Sequence, residues 1–333
     1  MRAGIVGFRG YSGAELLRLL DRHPSVDPVL LEHRQDADDR PQPIHGERHP
    51  KILCTADAVK AENLAVVFLA TPADVSMELA PAMLEAGAKV VDLSGAFRFK
   101  DAATYSRWYK EDHTASHLLT EAVYGLPEFC RERIPHARLI ANPGCYPTAA
   151  NLALQPLISS GIIDRAAGIV CDAKSGVSGA GRKPSLKTSF CEVTENLSAY
   201  SVLDHRHVPE ILMVSGIDEA ELSFTAQLLP IDRGILETIY FRSRNVTSAA
   251  EILEIYNRSY QNEPFVRLYT PGTFPDIRSV DHTNFCDIGF RFDPATGRAV
   301  VVTVIDNLVK GAAGQAIQNM NLMLGVGETE GLL

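Results

Sequence analysis

The chain has 333 residues, of which 46% are hydrophobic and 22% charged, a composition typical of a globular protein of about two domains. Its formal net charge of −9 argues against a nucleic-acid or membrane-surface partner, because both recruit proteins through clustered Lys and Arg. No apolar run reaches the roughly 18 residues of a membrane span, and no small-residue cleavage site follows the N-terminus. We therefore expect a cytoplasmic protein without a signal peptide.

Strands and helices alternate through the first half of the chain. Residues 2–6 form a short apolar strand, and a helix is predicted after the following glycine turn, ending at Pro24. The apolar side of this helix carries Leu16, Leu17, Leu19 and Leu20. Further strands are predicted over residues 26–31, 65–70, 89–93 and 138–141, with a helix over 74–86 and a solvated loop over 34–51. Strands that are apolar on both faces and alternate with helices indicate an α/β domain with a Rossmann-type parallel sheet.

The pattern changes after about residue 145. Two pairs of β-branched segments, 224–231 with 235–242 and 285–292 with 299–305, each flank a short turn. This pattern is typical of antiparallel hairpins in a sheet that is covered on one face. Helices are predicted near residues 248–261 and 311–324. The second part is therefore predicted to be an α+β domain with a mostly antiparallel sheet.

A glycine turn joins the first strand to the first helix, with Gly7, Gly10 and Gly13 in the spacing G-x-x-G-x-x-G. A strand that runs through glycines into a helix exposes backbone N–H groups, which can bind a phosphate at the positive end of the helix dipole. Such a motif can also be only a tight turn, but its position at the start of a βαβ unit favours dinucleotide binding. The remaining cofactor-binding candidates in this half of the chain are Tyr11, Ser12, Thr71 and Pro72.

The choice of dinucleotide depends on the end of the second strand. An acidic residue there, such as Glu32, accepts hydrogen bonds from the ribose hydroxyls and favours NAD, whereas Arg34 can pair with the extra phosphate of NADP. On an extended chain the sequence does not decide which of Glu32 and Arg34 faces the ribose, so both cofactors remain possible. The two residues can also be ordinary exposed charges without a cofactor contact.

Cys145 is the one cysteine of six that composition does not explain. The other five, at positions 54, 130, 171, 191 and 286, form no CxxC pair and are predicted to be reduced, small buried residues. Cys145 follows the strand that ends at Ala141, and a helix is predicted to begin near Tyr146 with Pro147 in its first turn. A helix N-terminus lowers a thiol pKa and favours the nucleophilic thiolate. The alternative is a buried filler.

Proton transfer can come from the segment His205-Arg206-His207-Val208-Pro209-Glu210. It offers two imidazoles, and Glu210 can orient or charge the ring of His207. The residues leave open which histidine acts, and both can also be exposed loop residues. No metal is expected, because two histidines give only two ligands and no cysteine pair lies nearby.

A second glycine-rich loop runs from residue 175 to residue 183. Its N–H groups and cations form a candidate anion site, although it can also be only a flexible loop. Cofactor contacts are expected from Ser175 and Gly176, and substrate contacts from Ser178, Gly179, Arg182 and Lys183. Two further substrate candidates, Arg98 and Asn142, follow other strands.

A hydride cofactor combined with an activated cysteine defines a narrow chemistry. The thiolate attacks an acyl phosphate, phosphate leaves, and hydride reduces the resulting thioester to an aldehyde. A histidine can then protonate the hemithioacetal oxygen, or take up the proton as the cysteine is released. The sequence therefore predicts an acyl-phosphate reductase.

Five motifs together resemble the N-acetyl-gamma-glutamyl-phosphate reductases, which belong with the aspartate-semialdehyde dehydrogenases and act in arginine biosynthesis. The motifs are Gly7–Leu16, Asn142–Thr148, Ser175–Arg182, His205–Ile211 and Lys310–Ala316. The resemblance implies NADP, with Arg34 on its extra phosphate, Cys145 as nucleophile and the histidine segment as acid/base. It also implies a dimer or tetramer, and a C-terminal helix that returns to the nucleotide domain, with Asn307 and residues 311–314 near the nicotinamide. The expected domains are residues 1–144 with 307–333, and residues 145–306.

Two departures from that family lie near the expected cofactor. Phe8 and Arg9 replace small residues of the first turn, so Arg9 either adds a phosphate contact or crowds it, and His33 replaces a serine before Arg34. A reductase of a related acyl phosphate, either aspartyl or carrier-linked aminoadipyl phosphate, is the main alternative function. A regulator that has lost the chemistry is the other, and the presence of Cys145 and both histidines argues against it.

Overall fold

The structure is a computed structural model that describes residues 1–33 and 48–333, which form two compact units. The first comprises Met1–Ser106, Glu111–Asn142 and Ala313–Leu333, and the second comprises Arg107–Lys110 and Pro143–Ala312. Arg34 lies outside the described residues. The domain limits given above stay a prediction. Within the described ranges, no helix is long and apolar enough to cross a membrane.

The first unit is built on a seven-stranded sheet. Its strands are β1 (Arg2–Val6), β2 (Asp27–Glu32), β3 (Lys51–Leu53), β4 (Val66–Leu69), β5 (Lys89–Asp92), β6 (Val123–Tyr124) and β7 (Leu139–Ala141). They lie in the order β3-β2-β1-β4-β5-β7-β6, and every neighbouring pair is parallel. Ile5 of the central strand β1 is fully buried between Leu30 and Phe68, which explains the continuous apolar runs. The Rossmann-type prediction is confirmed.

In the described ranges, five helices lie in the sequence between these strands. They are α1 (Tyr11–Leu20), α2 (Ala56–Ala61), α3 (Ala73–Glu85), α4 (Ala102–Tyr109) and α5 (Pro127–Cys130). Helix α1 buries Leu16, Leu19 and Leu20 and ends before Pro24, as predicted, whereas Leu17 is half-buried. The predicted α3 is also confirmed. Sequence patterns missed β3 and β6 because two or three residues form no recognisable apolar run.

The second unit contains a mixed sheet. Its strands are β8 (Ile169–Gly176), β9 (Ser198–Tyr200), β10 (Leu222–Leu229), β11 (Ile235–Arg242), β12 (Val266–Leu268), β13 (Cys286–Asp293) and β14 (Arg298–Ile305). They lie in the order β12-β13-β14-β11-β8-β10-β9. Only β8 with β10 and β12 with β13 are parallel, so the predicted, mostly antiparallel α+β domain is confirmed.

One of the two predicted hairpins is wrong. Strands β13 and β14 pair as predicted, but β10 and β11 do not, because β8 lies between them, parallel to β10 and antiparallel to β11. The link after β10 crosses the end of β8, where Val177 N–H donates to Ile231 O and Gly176 N–H to Gly234 O. Two strand spacings are only about 10 Å, which five linking residues can span. A short turn between two strands therefore does not guarantee that they pair.

Four helices belong to the second unit. They are α6 (Cys145–Ser159), α7 (Phe190–Val193), α8 (Val208–Ser215) and α9 (Ala249–Tyr260). Helix α6 is buried from residue 146 to residue 154, and α9 is tied to it by the hydroxyls of Tyr256 and Tyr260, which donate to Ala153 O and Leu152 O at 2.7 and 2.5 Å. After β14, a π-helical turn (Val309–Ala313) continues into α10 (Gly314–Leu324). The last two predicted helices are confirmed.

Candidate active site

Cys145 is the first residue of α6, one position before the predicted start. Gly144 precedes the helix in an extended conformation and offers no side-chain cap, and Pro147 lies in the first turn, as predicted. The cysteine is partly exposed and lines a cavity of about 660 Å³ in the second unit. A nucleophile at this position has both the helix dipole and access to a small molecule.

Two glycines allow other groups to approach the cysteine closely. A Cβ added to Gly144 would lie 2.8 Å from His207 Nε2 and 2.9 Å from Glu210 Oε1. A Cβ added to Gly311, in the π-helical turn, would lie 2.8 Å from the Cβ of Cys145. Real Cβ atoms do not approach so closely, so a side chain at position 144 would displace His207 and Glu210, and one at position 311 would displace Cys145.

His207 and Glu210 stand beside the residue that precedes the nucleophile. His207 is the cap residue of α8, and Glu210 lies in the first turn of that helix, fully buried. Glu210 Oε2 accepts a hydrogen bond of 2.9 Å from Gly144 N–H. The imidazole, the carboxyl group and the start of α6 are therefore held together, and His207 also lines the cavity.

His205 lies in an aromatic cluster. Its ring packs edge-on against Tyr146, Tyr200 and His207, with centroid distances of 4.9–5.5 Å, and tilted against Phe224. Its Nδ1 accepts from His207 N–H at 3.2 Å. Burial, together with the neighbouring charge of Arg206, lowers the pKa of His205 to about 4. The ring is therefore neutral near pH 7.

Two tyrosine hydroxyls meet beside this cluster. Tyr146 Oη and Tyr200 Oη are 3.1 Å apart, and both side chains line the cavity. Burial raises the pKa of Tyr200 to about 12 and that of Tyr146 further. Both phenols stay neutral and can act as hydrogen-bond donors rather than bases.

Part of the second glycine-rich loop reaches the same cavity. Ser175, Gly176 and Gly179 line it, whereas Ser178 is buried and accepts a hydrogen bond of 3.0 Å from Asn307 Nδ2. Asn307 Oδ1 accepts from Gly234 N–H at 2.7 Å, so the amide of Asn307 binds two segments of its own unit. Exposed side chains at Arg182 and Lys183 do not line the cavity, and their substrate role stays a prediction.

A separate groove of about 310 Å³ in the first unit collects four predicted cofactor residues, Gly7, Gly10, Thr71 and Pro72. Gly7 has φ +78°, and a Cβ there would lie 2.2 Å from Ala70 O. A Cβ on Gly13 would lie 2.3 Å from Gly7 O, so this glycine packs α1 against the turn. Helix α1 starts after Gly10 without a side-chain cap. This cradle of backbone fits the phosphates of a dinucleotide. Tyr11 and Ser12 form the first turn of α1 but do not line the groove.

The departures from the family pattern lie on the wall of this groove. Phe8, Arg9, Glu32 and His33 all line it. Arg9 Nη2 donates to Glu32 Oε1 at 2.9 Å, and the guanidinium lies 4.6 Å from the centroid of the Phe8 ring. The acidic residue at the end of β2 is thus partly neutralised by the arginine of the glycine turn.

The structure brings Arg98 and Asn142 together at the ends of β5 and β7 in the first unit. Both are buried, and Arg98 Nε donates to Asn142 O at 2.9 Å. Asn142 Oδ1 accepts from Asn319 Nδ2 at 3.1 Å. These contacts hold the strand ends in place, and a substrate role for the pair stays a prediction.

The predicted burial of the other cysteines is correct only in part. Cys171 and Cys286 are buried, Cys54 and Cys130 are half-buried, and Cys191 is exposed on the short helix α7. The prediction is wrong for Cys191 because residues 181–204 contain no buried side chain, which local composition does not reveal.

One group of side chains in the described residues has metal-binding chemistry, formed by Asp281, His282 and Asp306. Arg233 Nη1 already lies 3.0 Å from His282 Nδ1 and 3.1 Å from Asp306 Oδ2. A guanidinium therefore supplies the positive charge of this group, and the expectation of no metal stays a prediction.

Several residues around Cys145 escaped the sequence patterns. Trp108 and Lys110 line the cavity, as does Arg206, and Gly311 contacts Cys145. Trp108 is the single tryptophan of the chain, and it is followed by a tyrosine and a lysine, which is the one signal that could have drawn attention to this segment.

Comparison with known proteins identifies the family. Residues 2–137 match a family model described as semialdehyde dehydrogenase, NAD binding domain, and residues 145–307 match semialdehyde dehydrogenase, dimerisation domain. Proteins named N-acetyl-gamma-glutamyl-phosphate reductase from Geobacillus sp. (strain WCH70) and Desulforudis audaxviator (strain MP104C) are 47% and 48% identical, each aligned over 100% of this chain and 98% of the relative. The chain belongs to the N-acetyl-gamma-glutamyl-phosphate reductase family. The resemblance seen in its motifs is thereby confirmed, and its first unit matches the family's NAD(P)-binding domain.

Solved structures extend the fold beyond the N-acetyl-gamma-glutamyl-phosphate reductase family. Aspartate semialdehyde dehydrogenase II of Vibrio cholerae, complexed with ASA, has a TM-score of 0.73 at 19% identity. The Candida albicans aspartate semialdehyde dehydrogenase with NADP has a TM-score of 0.70 at 17% identity. Each match covers 97% of this chain and 98% of the other. At these identities the likeness shows a shared fold.

Proposed function

We propose that the protein reduces N-acetyl-gamma-glutamyl phosphate to N-acetylglutamate 5-semialdehyde with NADPH, through a thioester on Cys145, in arginine biosynthesis. The observation that carries this proposal is the placement of Cys145 at the start of α6, on a cavity wall shared with His207. The identity of the proposed acyl group follows the name shared by the full-length relatives.

The start of α6 favours the first step. Its N–H groups and dipole stabilise the Cys145 thiolate, which attacks the acyl carbon and forms the C–S bond while the C–O bond to phosphate breaks. Gly311 lets the π-helical turn pack directly on the cysteine. Close packing restricts the nucleophile to one position, which favours attack from a fixed geometry.

His207 is the proposed acid/base. It donates a proton to the alkoxide of the hemithioacetal and takes it back as the C–S bond breaks, which releases the aldehyde and restores the thiolate. Glu210, beside it, is proposed to orient the ring. The neutral, buried His205 is proposed to position His207 through the hydrogen bond to its backbone N–H.

The groove of the first unit is proposed to hold NADP. When bound, the nicotinamide supplies the hydride that reduces the thioester. Gly7, Gly10, Thr71 and Pro72 would contact the cofactor there, since all four line the groove. NADP rather than NAD is proposed because Arg9 offsets the charge of Glu32 on the groove wall.

The reverse reaction tests this function. NADP reduction is followed at 340 nm with inorganic phosphate and N-acetylglutamate 5-semialdehyde, with aspartate semialdehyde as the competing substrate. We expect phosphate-dependent turnover that strongly prefers the acetylated aldehyde. Preference for aspartate semialdehyde would transfer the assignment to the alternative reductase.

Replacing the nucleophile tests the thioester. Cys145→Ser should lower kcat by at least about 1,000-fold, because a serine hydroxyl at a helix start remains protonated, while NADP binding persists. Cys54→Ser is the matched control and should keep full activity, since burial raises the pKa of that thiol to about 11. A fully active Cys145→Ser variant refutes the thioester.

The protein is further proposed to act in the cytoplasm as a homo-oligomer, either a dimer or a tetramer, on a small-molecule substrate. The match of residues 145–307 to a dimerisation domain supports self-association. Size-exclusion chromatography with in-line light scattering measures the oligomeric state directly. A monomer at micromolar concentration would contradict the proposed homo-oligomer.

A further inference from the structure

The cavity that holds Cys145 carries cations that the proposed mechanism does not use. Lys110, Lys187 and Arg206 line it, and in the described part of the chain none of them forms an ion pair. Two carboxylates, those of Glu192 and Asp204, also line the cavity, again without an ion pair to these cations. The wall therefore presents one more cation than carboxylates to a bound molecule.

Lys110 is placed on this wall by a short, strained segment. It follows the end of α4 with φ +60°, a left-handed conformation that costs free energy in a residue other than glycine. Trp108, buried in the same wall, and the ion pair of Arg107 with Glu219, at 2.8 and 3.0 Å, anchor the segment. Strain that is held by neighbouring contacts is typical of positions with a function.

Arg206 reaches the same cavity from a different segment of the chain. It lies between His205 and His207, and its guanidinium is 5.9 Å from the ring centroid of Tyr109, the residue before Lys110. Both cations therefore line the same cavity, and the guanidinium lies near the residue that precedes Lys110. Lys187 is exposed, as are Lys110 and Arg206, and it lies in the short turn Leu186–Thr188, away in sequence from the anchored segment of Lys110.

We propose that Lys110 and Arg206 bind the carboxylate at the far end of the acyl substrate and thereby select acyl chains that carry one. A planar guanidinium can hold both carboxylate oxygens, and the ammonium adds a mobile point charge. The inference rests on the proposed function, because an N-acetylglutamyl group has an α-carboxylate but no ammonium group. Its single negative charge matches the excess of cations.

Two aldehydes that differ only in the carboxylate test the inference. They are N-acetylglutamate 5-semialdehyde and 4-acetamidobutanal, assayed with saturating NADP and phosphate. The wild type should prefer the carboxylated aldehyde by roughly 10- to 100-fold in kcat/KM, the range of a charge-assisted pair. Lys110→Met and Arg206→Met should each lose most of this preference through KM, and Lys110→Met should leave kcat/KM for 4-acetamidobutanal nearly unchanged.

Conservative and remote variants complete the design. Lys110→Arg keeps the charge and should retain most of the preference, whereas Lys60→Met, an exposed lysine on α2, should match the wild type. Preference that survives in both methionine variants overturns the inference. An equal loss with both aldehydes, accompanied by a higher KM for phosphate, assigns the cations to phosphate and overturns it too. No turnover of either aldehyde by the wild type refutes the proposed function itself, and the inference with it.

Discussion

His205 should make the protein sensitive to acid, and the size of the effect follows from its burial. An ordinary histidine has a pKa of about 6.5, whereas burial lowers that of His205 to about 4. Between these values the unfolded chain binds a proton that the folded chain excludes, so the free energy of unfolding falls as the pH drops. The full loss is about 3 kcal/mol below pH 4, and about 2 kcal/mol of it appears between pH 7.5 and pH 5.

Urea unfolding at these two pH values measures the effect. The wild type should lose about 2 kcal/mol more than His205→Asn between pH 7.5 and pH 5, because asparagine does not titrate. His136→Asn, which replaces an exposed histidine, should keep the pH dependence of the wild type. Equal pH dependence in the wild type and His205→Asn, or an NMR titration midpoint of the ring near 6.5, would refute the reasoning.

Three further substitutions each test a contact within one of the two units. Gly311→Ala places a Cβ 2.8 Å from that of Cys145. We therefore expect kcat/KM to fall at least roughly tenfold and alkylation of the Cys145 thiol by iodoacetamide to slow. Unchanged rates would contradict the close packing of Gly311 on Cys145. Arg9→Ala removes the cation that pairs with Glu32 on the groove wall. The KM for NADP should therefore rise about tenfold, and the KM for NAD should change little. A lower KM for NADP would show instead that the arginine crowds the glycine turn. Burial raises the pKa of Glu237 well above its usual range, so the folded chain holds a proton that the unfolded chain releases as the pH rises. Glu237→Gln, which mimics the protonated form, should therefore gain stability over the wild type from pH 5.5 to pH 8 in urea unfolding, and a relative loss would refute this.

The parts of the fold that sequence predicted well are those governed by local pattern. Strand β1 is buried on both faces and therefore appears as a continuous apolar run, and α1 shows its buried leucines at helical spacing. The failed hairpin shows the limit of such patterns. Strand β8 enters between β10 and β11 from more than 40 residues earlier in the chain, and nothing in the turn itself records that insertion.

The same limit applies to the residues of the site. Sequence identified Cys145 and both histidines because their chemistry and helix signals are local, but it left their roles open. The lowered pKa of His205 arises from burial among side chains that include Tyr146, Tyr200 and Phe224, which come from three separate segments of the second unit. Burial by distant residues sets a pKa, and periodicity contains no information about it.

The contact between Glu210 and Gly144 links the segment that carries the proposed nucleophile to the segment that carries the proposed acid/base. The carboxylate accepts from a backbone N–H that lies 66 residues away in sequence and directly before Cys145. Because the same glycine has no side chain, His207 can approach the start of α6 to a distance that any Cβ would prevent. A change at position 144 would therefore displace the imidazole, the carboxylate and the cysteine together. A glycine that sequence analysis treats as part of a turn thus fixes the relative positions of all three groups, which explains why helix starts built on glycine suit a reactive cysteine.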